Sequence, residues 1–348
     1  MSQPIDFMSK KKPLYQVNAR LREYLASNRR EISIPVLYED LCRYSNSFPL
    51  LDKNDKDTLW EIAMYDTVLF EELERGLTDI YALLKTEGDK SVSEHLTVDR
   101  IDYCTFGNTN PFRIKIINKL NDNYDYFYVK RVDASRIYGL ELEHILSPNR
   151  INYIVDKQTI VEEHIAGIPG DMFINDYLSS PSLNEVRLAK EFVKFNERCF
   201  VRLLGDMRSY NYVLDITPDF DNEQYRVRAI DFDQQSFEGK RTLYLPQYFK
   251  ENNPMVNLCI KLLPKETVNQ YSLEERTLIR GRAISARFRL KEIMDIMREE
   301  DLSIPSKMLQ LKNELNAHYS TAKFDQCTTM GDIVRMNLMQ SLSLVNEL

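Results

Sequence analysis

Leu204-Gly205-Asp206-Met207-Arg208-Ser209-Tyr210-Asn211 is followed by a hairpin-like stretch and then by Ile230-Asp231-Phe232-Asp233, and the fold is read from this combination. Asp206 stands in a short polar loop, Asn211 follows five residues on, and Asp231 follows twenty residues after that, between apolar Ile230 and Phe232. Tyr212 to Ile216 and Tyr225 to Phe232, rich in aromatic and β-branched residues, predict a short hairpin between them. Each acidic or amide residue alone is equally at home in a turn or as a strand cap. Together they suit one chemistry: a carboxylate beside an attacking hydroxyl, with hard oxygen ligands for magnesium close by. Asp206 is the expected base, and Asn211 and Asp231 are the expected metal ligands. Arg208, inside the loop, is a candidate for touching phosphate or substrate.

Upstream, the period changes near residue 99. Ile101–Phe106, Phe112–Ile117 and Tyr124–Val132 read as three antiparallel strands separated by Asn- and Gly-containing turns. Ala134 to Leu146 has a helical period and stops at Ser147-Pro148-Asn149, because the residue before proline avoids the α region. Two more strands, Ile151–Val155 and Thr159–His164, give the order βββαββ. Lys130 shares a strand face with Tyr126, Tyr128 and Val132, so its charge needs a partner. Glu141 and Glu143, on the helix that follows, are the candidates.

Around this centre the pattern is helical. Residues 1 to about 12 read as a basic tail, with Lys10 to Lys12 a solvated charge run. From about 14 to 87, Leu, Ile and Ala recur at three- and four-residue steps, with Asp57 expected to cap a helix ending near Gly88. Beyond Gly170 the clearest helix is Leu188 to Cys199, and a long one is expected from Ser272, opened by a Ser-Leu-Glu-Glu capping box, to about Glu300. That helix carries Arg276, Arg280, Arg282, Arg287 and Arg289, read as solvated arginines on a core-packing face, with an anion contact as the sharper alternative.

Composition removes several function classes. In 348 residues there are ten glycines and no G-x-G, G-K-[ST] or G-x-S-x-G, which excludes the dinucleotide fingerprint, the Walker loop and the nucleophile elbow. Five scattered cysteines and four histidines form no metal-ligand spacing or disulfide framework. A net charge of −7 speaks against a general nucleic-acid binder. The amino terminus has no apolar signal region, and no long uncharged apolar run occurs, so a cytoplasmic protein without a membrane partner is expected.

The pieces resemble the protein-kinase-like superfamily, most closely its aminoglycoside phosphotransferase and choline kinase branch, over about residues 100 to 240. Tyr-Val-Lys130 is similar to that branch's third-strand lysine. Glu141-Leu-Glu-His-Ile-Leu-Ser-Pro-Asn149 is similar to the helix whose glutamate pairs with it. Ile160-Val-Glu-Glu-His-Ile-Ala-Gly167 resembles the hinge strand, 204–214 the catalytic loop and 230–233 the metal-binding segment. The resemblance implies an α+β, two-lobed kinase-like fold, with a small antiparallel-sheet N-lobe (99–166), a mostly helical C-lobe (167–348) and an N-terminal tail and helical extension (1–98). It implies ATP and Mg2+ as cofactors and a hydroxyl-bearing small molecule as acceptor. By residue, it implies Asp206 as base, Asn211, Asp231 and Asp233 at magnesium, and Lys130 with Glu141 at the phosphates. Gly107 belongs to the turn covering the phosphates, and backbone groups of Glu162, Glu163 and His164 would hold the adenine. Leu204 departs from the pattern, standing where the branch has His. A protein Ser/Thr kinase resembling toxin–antitoxin kinases and a nucleotide-binding pseudokinase scaffold are the alternatives. The N-terminal helices are a candidate surface for a protein partner.

Overall fold

The computed structural model describes residues 12–52, 55–86, 94–106, 109–219 and 222–344, and the contacts divide the chain into two units. One comprises residues up to Ala134 together with Asn152–His164; the other comprises Ser135–Ile151 and Ile165 onward. Lys10, Lys11 and Gly107 lie outside the described residues.

The first unit contains helices α1 (Ala19–Ser27), α2 (Tyr38–Leu41) and α3 (Thr67–Thr86) and strands β1 (Asn46–Leu51), β2 (Asp57–Met64), β3 (Leu96–Cys104), β4 (Phe112–Asn118), β5 (Tyr124–Arg131), β6 (Tyr153–Asp156) and β7 (Thr159–Glu163). They form one antiparallel sheet in the order β1-β2-β3-β4-β5-β7-β6. Alternation explains its two faces. Phe112, Ile114 and Ile116 of β4 and Phe127 and Val129 of β5 enter a core shared with Leu73, Leu77, Ile80 and Leu84 of α3. Arg113 and Lys115, one residue out of step with that set, are only half-buried. The α3 stripe at three- and four-residue steps is the apolar face that a helix buries on a sheet.

The expected strands 101–106, 112–117, 124–132, 151–155 and 159–164 correspond to β3 to β7. The expected helical run from 14 to 87 does not hold throughout, because residues 46–64 are the hairpin β1–β2, which extends the sheet beyond β3. Asp57 caps no helix; its Oδ1 accepts from Leu59 N at 2.8 Å. The cap of α3 is Asp66, whose Oδ1 accepts from Leu69 N at 3.0 Å. Lys12 is not solvated either: it is 4 % exposed and bonded to Asp133 at 2.7 Å.

The second unit contains α4 (Ala134–Leu146), strand β8 (Ile168–Pro169), α5 (Gly170–Met172) running into a π-turn over Phe173–Tyr177, and α6 (Glu185–Arg202). Strands β9 (Tyr212–Asp219) and β10 (Asn222–Ala229) follow, then α7 (Asn253–Leu262), α8 (Lys265–Ser285), α9 (Arg287–Met297), α10 (Pro305–Tyr319) and α11 (Met330–Leu342). Its small sheet has the order β10-β9-β8. Helix α6 is central, packing on α7, α8, α11 and β10, with Leu188, Ala189, Phe192, Phe195, Cys199 and Phe200 buried. The long helix expected from Ser272 begins earlier, after Pro264, and is broken at Ala286, so Ser272 lies inside α8 and opens nothing. Gly170 is required where it stands: a Cβ there would meet the Tyr212 ring at 2.3 Å and Ser209 O at 2.5 Å. Among the described residues no helix is long and apolar enough to cross a membrane, and all five cysteines are free thiols.

Candidate active site

Helix α6 ends at Leu203 in the left-handed conformation (φ +54°), which turns the chain sharply into the 204–211 loop. Two backbone hydrogen bonds make an antiparallel bridge between Leu204 and Gln235 and fix the loop to the segment after β10: Gly205 N donates to Gln234 O at 3.2 Å, and Ser236 N donates to Leu203 O at 2.9 Å. Gln235 strengthens the junction through its side-chain amide, which donates to Arg202 O at 2.6 Å.

Asp206 is itself left-handed (φ +57°), a conformation that Asp and Asn tolerate better than most residues. Asn211, on a 3-10 turn (Ser209–Asn211), donates through Nδ2 to Asp206 O at 2.7 Å and so closes the loop on itself. Arg208 Nε donates to Asp206 Oδ1 at 2.9 Å, and its Nη1 reaches Glu251 Oε1 at 2.8 Å. Burial pushes the Asp206 carboxyl up to about 6; Arg208 pulls the other way, and the charge of Asp231 adds to the rise. The loop thus holds a desolvated carboxylate poised between its two protonation states near neutral pH, the property a general base needs.

Asp231 and Asp233 share a partner that the sequence did not suggest. Arg136, on the first turn of α4 and 1 % exposed, donates through Nη1 to Asp231 Oδ1 at 2.9 Å and to Asp233 Oδ1 at 2.6 Å. Asp233 N also donates to Asp231 Oδ1 at 3.1 Å. The readable signal was an arginine inside a helix whose neighbours Ala134, Ile137, Tyr138 and Leu140 are all apolar and buried; such a charge needs carboxylates.

Where Glu141 was expected as its partner, Lys130 Nζ bonds Glu162 Oε2 at 2.9 Å, with both side chains nearly buried. Glu141, fully buried, takes a guanidinium nitrogen of Arg289 at 2.6 Å, and its neighbour Glu143 takes Arg202. The physical reason is that the buried acids of α4 find cations on α6 and α9, while Ile160 of β7, directly opposite Lys130, sets Glu162 two residues further along. Glu162 is in register with Tyr128 on one side and Tyr153 on the other, so its backbone lies inside the sheet. Glu163 N donates to Asn152 O at 3.0 Å, and His164 Nδ1 lies 3.2 Å from Tyr128 OH. Burial lowers the His164 pKa and pushes the Tyr128 phenol up to about 12.

Among the described residues no group of three or more His, Cys, Asp or Glu side chains is arranged to hold a metal ion. The donors nearest that task are the oxygens of Asp206, Asp231 and the Asn211 amide, which suit magnesium in kind. Both carboxylates bond Arg136, and the Asp231 side chain is 33 % exposed where that of Asp233 is 10 % exposed.

No family model matches the chain, and no curated protein matches it. Among solved structures, a Rio2 kinase–ADP/Mg2+–phosphoaspartate complex from Chaetomium thermophilum is 11% identical, with 85% of this chain and 82% of that chain covered and a TM-score of 0.29. At that score the likeness carries no weight for fold or chemistry, which rest on this chain's own residues.

Proposed function

We propose that the chain is an ATP- and magnesium-dependent phosphotransferase that delivers the γ-phosphoryl group to a hydroxyl of a small molecule. The observation that carries this reading is Asp206: a desolvated carboxyl whose pKa burial pushes up to about 6, steadied by Arg208 and Asn211 on a loop bonded by its backbone to the segment after β10. Asp206 accepts the proton of the attacking hydroxyl as its oxygen bonds to phosphorus and the bond to the departing ADP breaks. Arg208 keeps the carboxylate aimed and charged. Asn211 and Asp231 would hold magnesium, which supplies neutralisation of the phosphate charges.

A second reading is favoured by Arg136. Its guanidinium already neutralises Asp231 and Asp233, as in a protein that keeps the shape of the site and uses it as a nucleotide-binding or ligand-free scaffold. One experiment separates the readings. Wild type and Asp206→Asn are incubated with radiolabelled ATP and a cell lysate, and protein is separated from small metabolites. Label on metabolites with wild type only supports the proposal; label on protein makes the chain a protein kinase. No label, with no thermal shift in millimolar MgATP, leaves the scaffold.

A further inference from the structure

The arginine-rich stretch of α8 and α9 lines a cavity of about 550 Å³, closed on its other side by the end of α4 and the turn after it. That volume lies in the range of small-molecule sites. Arg150, Arg282, Arg289 and His144 all face it, and among the described residues no carboxylate lines it. In a chain of net charge −7, a cavity whose charged lining residues are all arginines is a local reversal. Arg289 is partly spoken for by Glu141.

Arg282 is different. Its Nη1 is buried and has no hydrogen-bond partner, and leaving such a donor unsatisfied is costly. Burial pulls the Arg282 pKa down and the nearby Arg198 charge adds to the fall, although Glu275 opposes both. An anion in the cavity offsets the desolvated Arg282 charge, and a guanidinium matches a phosphate through paired N–H groups. The wall also carries apolar surface, from Ile145, Pro148 and the half-exposed Leu278, beside Ser147 and Ser285. Gly281 borders the same space, and a Cβ placed on it would meet nothing within 4 Å. The volume therefore admits more than a bare ion.

We propose that this cavity binds a soluble phosphomonoester, its phosphate on Arg282 and Arg150 and its apolar or aromatic body against Leu278 and Pro148. The site belongs to the α4–α8–α9 junction and does not include Asp206, so it stands independently of the reaction assigned above.

The test is calorimetric titration of the full chain with phenyl phosphate, phenol and inorganic phosphate. Phenyl phosphate should bind at one per chain, phenol should give no signal, and inorganic phosphate should bind at least tenfold more weakly than phenyl phosphate. Arg282→Gln and the exposed Arg150→Gln should each weaken phenyl phosphate at least tenfold. Gly281→Leu, which grows a side chain from a Cβ that meets nothing within 4 Å, should remove phenyl phosphate binding and spare inorganic phosphate. Asp206→Asn should bind like wild type. Absence of phenyl phosphate binding at 10 mM, binding unaltered by both arginine variants, or binding lost in Asp206→Asn overturns the assignment. Because Arg150 is exposed, its variant keeps the test decisive even if Arg282→Gln folds poorly.

Discussion

Replacing Asp206 by Asn should abolish phosphoryl transfer and make the protein more stable. Burial raises the Asp206 pKa from 3.8 to about 6 in the folded chain. A raised folded-state pKa means that the native state holds the proton more tightly than the unfolded chain does. Stability from this group is therefore fullest at low pH and is lost as pH climbs through the window from about 4 to about 6. Integrated over that window, the ionised side chain costs the fold about 0.6 kcal/mol at pH 4 and about 3 kcal/mol at pH 8. Asn carries no charge and accepts the left-handed backbone, so it removes most of this cost. Urea denaturation of both proteins at pH 4 and pH 8 reads the difference directly. The variant should gain up to about 3 kcal/mol at pH 8 and under about 1 kcal/mol at pH 4. A gain independent of pH, or a less stable variant at pH 8, would refute the claim that desolvation sets this carboxyl.

The same pKa predicts that kcat/KM falls on the acid side with an apparent pKa near 6, since the base must be ionised; a flat profile from pH 5 to 8 removes Asp206 from that role. Arg136→Met strands Asp231 and Asp233 and should cost about 3 kcal/mol at pH 7, read as a lower urea midpoint, and an unchanged midpoint argues against the bridge. Lys130→Met should cost a similar amount, about 3 kcal/mol, with Glu162→Gln in the same chain recovering much of it; strict additivity of the two substitutions would mean that the pair does not interact. Gly331→Ala places a Cβ 2.5 Å from Met297 O and 2.6 Å from Arg298 N. The backbone clash should outweigh the helix-propensity gain of about 1 kcal/mol, and Tm should drop.

The sheet was legible wherever alternation ran unbroken. Phe112-Arg-Ile-Lys-Ile and Tyr126-Phe-Tyr-Val-Lys130 each place one face in the core by period alone. Residues 57–64 were misread because a bulge breaks that period. On β1 Pro49 and Leu51 are two positions apart, whereas on β2 their partners Glu61 and Asp57 are four positions apart. Leu59 absorbs the excess at φ +63°, and Thr58 Oγ1 donates to Leu50 O at 2.6 Å. The surviving apolar positions, Leu59, Ile62 and Ala63, then fall at helical spacing by accident. The loop carrying Asp206 and Asn211 was legible because its parts are local. The cation partners were not: Arg289 reaches back 148 residues to Glu141, and Arg136 reaches forward 95 to Asp231, distances over which spacing carries no information.

Helix α4 has a bearing on the order in which the chain matures during synthesis. The strands on either side of it, β5 and β6, complete their sheet once residue 163 has emerged from the ribosome. The helix between them then still exposes Arg136, Glu141 and Glu143, whose counter-charges at 231, 289 and 202 respectively are not yet made. Domains fold from the N-terminus at the pace of translation, so this helix has to wait for the last third of the polypeptide. A nascent chain stalled near residue 240 should therefore show a protease-resistant sheet interrupted by a cleavable segment at 135–151, and protection of that segment before Arg289 emerges would contradict the sequence of events.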